Sequence, residues 1–405
     1  MRSLRFAGLL ALAFCFQLSM VYANTDTVRY EKVEVMVPMR DGVKLFTRIY
    51  KPLNVKQKLP VLMMRSPYSG WNIGTLSPEK DPYIQDMAIE GYFFVYQNIR
   101  GKHQSEGEFI MTRPTILNNN GKQIDESTDT YDTIDWLLKN LPGTNEKFGQ
   151  LGVSYPGWTA LVSSGNPHPA LKAVSDQACM GDLFLGDDLH HNGAFRLGYA
   201  FEWAFREEIA KKDTSFVFPK YDLYEWYLKL GPLSNVNDKY FFNRIPSWNN
   251  YVEHPNYDSF WKEQSPLTYI KETKVPILHV GGVWDAEDVM GPQQLYGHME
   301  KSDKANQNFI LLGPWHHAQW ANAVVTNNGN YQMGQNTSIA FHQKQKHWFD
   351  YWLKGIGEND FAEADIFQTG SNQWKKYTTW PPKNAEIKKL YVQADSKLSF
   401  NKPQT

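Results

Sequence analysis

A short, mostly apolar run from Gly149 to Val153 leads into Gly152-Val153-Ser154-Tyr155-Pro156-Gly157 and then a helix-like segment, Trp158 to Ser164. A strand that gives way to a helix across one or two residues belongs in a layered fold, with the helix packed back on its own sheet. The serine then sits on the sharp turn, where its hydroxyl is pushed out of the sheet. Pro156 is tolerated there because the first helical turn has no intrahelical use for its missing N–H. The usual form of such a turn is Gly-x-Ser-x-Gly. Here Pro156 stands in place of the second glycine and Gly157 comes one residue late. Taken alone, the hexapeptide reads more readily as an ordinary strand-to-helix turn.

The rest of the chain repeats the alternation. Glu31 to Pro52 alternates and turns at Arg40-Asp41-Gly42, a hairpin signal. Val61–Met64, Tyr92–Gln97, Leu171–Asp176, Val275–Val280 and Asn308–Leu312 read as buried strands, and Asp129–Lys139 has helical spacing with Ile134, Leu137 and Leu138 on one side. Strands alternating with helices predict an α/β fold with a mostly parallel sheet. From Leu183 to Leu267 the runs are helical instead, such as Tyr199–Lys211, Tyr221–Leu230 and Asn256–Glu263. This interval reads as a cap inserted over the sheet, or as a second helical domain. Ile339–Lys354 reads as a closing helix. Ala364–Phe367, Trp374–Tyr377 and Lys388–Val392 then read as short strands of a different, β-type unit. The expected organisation is a leader over 1–23, a core over 24–182 and 271–357, a cap over 183–270, and the start of an incomplete β domain over 358–405.

Arg2 and Arg5 precede a largely apolar Phe6–Val21 that ends in Val21-Tyr22-Ala23. This is the pattern of a secretory signal peptide with Asn24 as the mature start, and it predicts a periplasmic or secreted protein; an uncleaved anchor is the alternative. Cys15 follows Phe14, which argues against lipidation. Cleavage leaves Cys179 as the one cysteine, so export brings no intrachain disulfide. The 42 Lys and Arg, two of them in the leader, face 43 Asp and Glu. That balance gives no reason to expect nucleic acid or, after cleavage, a membrane as a partner.

A nucleophilic serine needs a base and an orienting acid, in the order Ser, Asp, His for this kind of sheet. Val275–Val280 is followed by Gly281-Gly282-Val283-Trp284-Asp285, and Asn308–Leu312 by Gly313-Pro314-Trp315-His316-His317. Loops beyond the carboxyl ends of sheet strands are where ligand chemistry gathers in open α/β folds. Separately, Asp285 reads as a helix cap and His317 as a loop residue. Together with Ser154 they form a triad in the right order.

The chain resembles the serine hydrolases that include cocaine esterase, X-Pro dipeptidyl peptidases, glutaryl acylases and α-amino-acid ester hydrolases. The resemblance runs from about residue 30 to Thr405. It is carried by Arg65-Ser66-Pro67-Tyr68, by Arg100-Gly101 with Ser105-Glu106-Gly107-Glu108-Phe109, by the Ser154 hexapeptide, by Trp284-Asp285, by Gly313-Pro314-Trp315-His316-His317 and by Trp348–Gly355. It implies an α/β-hydrolase fold with a helical cap insertion, followed by a β-jelly-roll domain of which only the opening is present; a truncated product is the expectation. Ser154 would be the nucleophile, His317 the general base with His316 as its competitor, and Asp285 the orienting acid. The Tyr155 backbone N–H and the Tyr68 hydroxyl would hold the oxyanion, although Tyr68 also reads as a packing aromatic. No cofactor and no metal is required.

Further carboxylates surround this set. Glu287 and Asp288 follow Asp285 closely, and Asp187-Asp188 precedes His190-His191-Asn192-Gly193-Ala194-Phe195. They read as acids at helix N-termini, as metal ligands beside His190 and His191, or as anions for a substrate ammonium group. The arrangement is similar to the α-amino-acid ester hydrolase branch, which implies that Asp188, Glu287 and Asp288 bind the amino group. The expected substrate is a small amino-acid ester, or a β-lactam nucleus as acyl acceptor, handled by a protein whose relatives often form homo-oligomers. An X-Pro dipeptidyl-peptidase, an acylase indifferent to the ammonium and a silent hydrolase-like binding module are the alternatives.

Overall fold

The computed structural model describes residues 28–68, 76–115, 123–209 and 223–403. The expected leader and Cys15 lie outside them. One ten-stranded sheet organises the chain. Its strands are β1 (Tyr30–Pro38), β2 (Lys44–Pro52), β3 (Leu59–Ser66), β4 (Phe93–Asn98), β5 (Thr144–Val153), β6 (Leu171–Gln177), β7 (Ile277–Gly282), β8 (Asn308–Gly313), β9 (Ala364–Gln368) and β10 (Gln373–Tyr377). They lie in the order β1-β2-β4-β3-β5-β6-β7-β8-β9-β10. The β1–β2, β2–β4 and β9–β10 pairs are antiparallel, and the pairs from β4 through β9 are parallel.

Sequence pattern and position agree. Every residue of β3, Leu-Pro-Val-Leu-Met-Met-Arg-Ser, is buried, as a strand covered on both faces must be. Edge strand β1 alternates instead, and the expected hairpin forms at Asp41-Gly42, with Gly42 at φ 86°. The helices are α1 (Gln85–Glu90), α2 (Glu126–Asn140), α3 (Tyr155–Ser163), α4 (Glu202–Ile209), α5 (Tyr224–Leu230), α6 (Pro246–Glu253), α7 (Ser259–Gln264), α8 (Pro266–Tyr269), α9 (Gly291–Met299) and α10 (Thr337–Phe349). Asp125 caps α2 in a reciprocal capping box with Thr128. Ile134 and Leu137 of α2 face the core, and Leu138 is half-buried against it. None of the helices among the described residues is long and apolar enough to cross a membrane.

Helices α4 to α8 all fall between β6 and β7, where the helical run was expected. This segment has an aromatic interior: Phe201 stacks on Phe241 at 4.8 Å and meets Trp248 edge-on at 5.1 Å. Its entrance is tied to the core by Asp187. That carboxylate accepts the backbone N–H groups of Gly181, Met290 and Gly291, each at 3.1 Å.

The carboxyl-terminal region differs from expectation. The runs at Ala364–Phe367 and Trp374–Tyr377 are strands, β9 and β10, but they extend the central sheet instead of opening a separate one. The cause is burial: Ala364, Ile366 and Phe367 are covered, whereas beyond Tyr377 Ile387, Leu390, Val392, Leu398 and Phe400 are exposed. Among the described residues of that last stretch, only Tyr391–Val392 and Leu398–Ser399 pair.

Arg65 at the end of β3 is fully buried. It meets the Glu126 carboxylate at 2.9 Å and donates to Gln97 Oε1 at 2.7 Å. Removing one partner of a buried pair strands the other charge. Arg65→Ala should therefore lower the unfolding free energy by about 3–5 kcal/mol in urea titrations; a loss under about 1 kcal/mol would contradict this account.

Candidate active site

The carboxyl edge of the sheet brings the candidate residues together. Ser154 lies between β5 and α3 at φ 67° and ψ −130°, a conformation that L residues adopt only when the surroundings impose it. Its N–H donates to the Gln177 carbonyl at the end of β6 (2.8 Å), and its own carbonyl accepts the Trp158 N–H (2.9 Å). The late glycine is explained here. A Cβ on Gly157 would lie 2.5 Å from the Gln177 carbonyl oxygen, and one on Gly152 would lie 2.5 Å from Pro156. Pro156 sits in the first turn of α3 and needs no such clearance.

Loop positions 283–285 and 313–317 are bound to each other. Val283 N–H donates to the Gly313 carbonyl and Trp284 N–H to the Trp315 carbonyl, both at 3.0 Å. A Cβ on Gly282 would lie 2.3 Å from the Trp315 oxygen, so glycine permits the contact. In this frame His317 Nδ1 lies 2.9 Å from Asp285 Oδ2. Asp285 Oδ1 accepts the N–H groups of Glu287 (2.8 Å) and Asp288 (3.0 Å). Burial opposes ionisation of Asp285, but the hydrogen bond and charge of His317 and these two N–H groups hold its carboxyl below the usual range. Burial likewise opposes charge on His317, yet Asp285, Glu287 and Asp188 together raise its pKa above the ordinary histidine value. His316, the competitor, is exposed and its Nδ1 faces the His317 carbonyl.

Tyr68 follows β3, its N–H held by Ser66 Oγ at 3.0 Å. Its phenol faces Ser154 and Trp203; burial, with the charges of Glu207 and Asp188, keeps it protonated. Tyr155 is buried, with its hydroxyl accepting the Thr112 N–H at 2.9 Å. Its backbone N–H belongs to the first turn of α3, where N–H groups have no intrahelical acceptor.

The three further carboxylates converge on His317. Glu287 Oε2 is 3.4 Å from Nε2, and Asp288 Oδ2 is 3.7 Å from Nδ1. Asp188, at φ 44°, donates its N–H to the Glu287 carbonyl at 3.1 Å. The Tyr199 hydroxyl lies between Asp188 Oδ1 (2.9 Å) and Glu287 Oε2 (3.0 Å). Burial and the Glu287 charge push Asp188 up to about 6. Asp288 is fully buried, and neither of its carboxylate oxygens has a hydrogen-bond partner among the described residues. Burial and the charges of Asp188, Asp187, Asp285 and Glu287 raise it well above the usual range. The cluster is anionic when ionised. Ligand atoms of Glu287, Asp288 and His317 lie within 4.8 Å of one another, so a cation held there could be a metal ion or an ammonium group.

Sequence reasoning missed Tyr199 and Trp203. They stack at 6.5 Å, four residues apart where the helical segment leads into α4. Their signal was that spacing immediately after Arg196, whose guanidinium holds the Asp188 carbonyl at 2.8 Å. His190 is turned away from the carboxylates, against Phe184 at 4.4 Å and the Leu183 carbonyl at 3.2 Å. Cys179 is fully buried and serves packing.

Gly157→Ala forces α3 away from Gln177. It should cost about 1–3 kcal/mol in unfolding free energy, the usual range for overpacking; an unchanged urea midpoint would show that the close approach is dispensable.

Comparison with known proteins agrees with this fold. A solved aminopeptidase from a marine sediment archaeon, Thaumarchaeota archaeon, is 36% identical with a TM-score of 0.86, over 94% of this chain and 64% of that one. A solved α-amino acid ester hydrolase is 33% identical with a TM-score of 0.85, over 97% of this chain and 67% of that one. Cocaine esterase of Rhodococcus sp. (strain MB1 Bresler) is 24% identical over 88% of this chain and 61% of its own length. The chain thus spans about three-fifths to two-thirds of these relatives. The α/β architecture with its large, mainly parallel sheet agrees with theirs. The family of X-Pro dipeptidyl-peptidases (S15 family) matches residues 41–319. With that match over more than half its length, the chain belongs to the X-Pro dipeptidyl-peptidase (S15) family.

Proposed function

We propose that this chain carries a serine hydrolase that cleaves esters of α-amino acids through an acyl-enzyme, and passes the acyl group to water or an amine. The observation that carries the reading is Asp288, a buried carboxylate with both oxygens unpartnered, beside Glu287, Asp188 and the candidate base. Leaving such a group unsatisfied costs about 1–3 kcal/mol or more, a cost that a bound ammonium would offset. The two solved relatives above 30% identity are named for an aminopeptidase and an α-amino acid ester hydrolase, and both names imply substrates with a free amino group.

In this reading Ser154 Oγ attacks the ester carbonyl while its proton passes to His317 Nε2. Asp285 keeps Nδ1 protonated and stabilises the imidazolium. The Tyr68 hydroxyl and the Tyr155 N–H receive the developing oxyanion, a type of donor whose removal typically costs 10²–10³ in rate, roughly. Collapse of the intermediate expels the alcohol, which takes the proton from Nε2. Water then attacks the acyl-serine, His317 accepts its proton, and Ser154 is released with the proton returned. The helical segment 183–270 acts as a cap that supplies Asp188, Tyr199 and Trp203. The leader-like N-terminus supports placing the reaction in the periplasm or outside the cell.

The test compares phenylglycine methyl ester with its desamino analogue. A charge-assisted contact worth about 1.5–3 kcal/mol predicts at least a tenfold higher kcat/KM for the amino ester. Asp288→Asn should erase most of that ratio without lowering Tm, since it removes a repelled carboxylate at nearly constant volume. Ser154→Ala should abolish both hydrolyses. Equal rates on the two esters would sink the ammonium reading. Loss of activity on chelation, restored by a divalent ion, would favour a metal in the cluster instead.

A pH dependence follows from the charges around His317. Below its pKa the imidazole is protonated and cannot accept the serine proton. The carboxylates raise that pKa in the free site. A bound ammonium neutralises Glu287 and Asp188 and lets the pKa fall. The acid limb of kcat should therefore lie at lower pH for the amino ester than for its desamino analogue; coincident limbs would contradict the coupling.

A further inference from the structure

A cavity of about 330 Å³ opens beside Ser154, away from the carboxylate cluster. Val153 and Pro156, on either side of the Ser154-Tyr155 pair in sequence, line it together with Tyr68, whose phenol faces Ser154. Ala318, the residue after His317, and Ala321–Ala323 line it as well. Asp188, Glu287 and Asp288 do not line it. In acyl transfer the leaving group departs from the side of the general acid, which must protonate it. A group seated in this cavity stands on the side of the segment that directly follows His317.

The chemistry of the cavity is specific. Its walls are mostly apolar, with the rings of Tyr83 and Tyr96 and a carboxylate, Asp81. The Asp81 side chain accepts the Tyr83 N–H at 3.1 Å, and no cationic side chain among the described residues pairs with it. Its charge is felt by both tyrosines. The Tyr83 hydroxyl is buried without a hydrogen bond; Gln177 faces it but does not meet bonding geometry. An unpaired carboxylate beside aromatic side chains is the environment that binds organic cations, through charge and through the ring quadrupoles. An anionic leaving group would meet repulsion and an uncompensated desolvation cost there.

We propose that this cavity is the leaving-group subsite and that it takes a cationic leaving group, an alcohol or amine bearing a quaternary or protonated nitrogen, with Asp81 as the counter-charge. The assignment rests on the acyl-transfer reading above and adds to it the charge of the group that departs.

The experiment uses three phenylglycine esters that share one acyl group: choline, its uncharged isostere 3,3-dimethylbutanol, and glycolate as the anionic member. The full chain should cleave the choline ester at least about tenfold faster in kcat/KM than the isostere, and the glycolate ester slowest. Asp81→Asn keeps the acceptor for the Tyr83 N–H and should bring the choline-to-isostere ratio within about threefold of unity. A calorimetric titration of choline into Ser154→Ala protein supplies a readout independent of turnover; binding should be detectable and lost in the Ser154→Ala, Asp81→Asn double variant. Turnover with no preference for choline, or a preference that survives Asp81→Asn, overturns this proposal and leaves the acyl-transfer reading standing. Choline binding that depends on Asp81, in a protein that cleaves none of the esters, overturns the acyl-transfer reading and the leaving-group role together.

Discussion

The approach of α3 to the end of β6 is the contact on which the site depends. Gly157 lets the helix come within reach of the Gln177 carbonyl, and that carbonyl holds the Ser154 N–H. Without the contact Ser154 has no reason to occupy φ 67°, because an L residue relaxes out of that region unless its neighbours prevent it. The same strain lifts the hydroxyl out of the sheet. Tyr68 arrives from β3, and the two bonded loops after β7 and β8 deliver Asp285 and His317, so five parallel strand ends converge on one strained residue.

Electrostatics tells two kinds of carboxylate apart. Asp187 accepts three backbone N–H groups and is a structural clamp, even though burial pushes it up to about 7. Asp285 is likewise satisfied, by two N–H groups and His317. Asp288 is not, and Asp188 and Glu287 share a single phenol. Folded proteins rarely leave buried polar atoms unpaired without a use for them. The unsatisfied set lies next to the candidate base, and the satisfied set holds the frame.

Much of the frame was legible from residues 30 to 355. Buried parallel strands such as β3 are unbroken apolar runs, and edge hairpins such as β1–β2 alternate, so each pattern reports its own position. The helical run between β6 and β7 was legible for the same reason. Residues 364–377 were misplaced because a short strand has the same local pattern whether it extends one sheet or begins another; only the pairing of Ile310–Leu312 with Ala364–Ile366 decides it. Tyr199 and Trp203 were missed because an aromatic at helical spacing is usually core. Asp81 was invisible because one acid in a loop carries no pattern.

The sequence by itself determined the local turns and their chemistry: which strands are buried, where the serine sits, and that an acid and two histidines follow later strand ends. These are properties of neighbours in the chain, set by periodicity, glycine clearance and proline placement. The tertiary structure decided which histidine faces Asp285, which of two adjacent aspartates is clamped and which is shared, and that a lone carboxylate lines the cavity beside Ser154. Burial and charge are sums over residues distant in sequence, and they acquire values only when those residues are folded against one another.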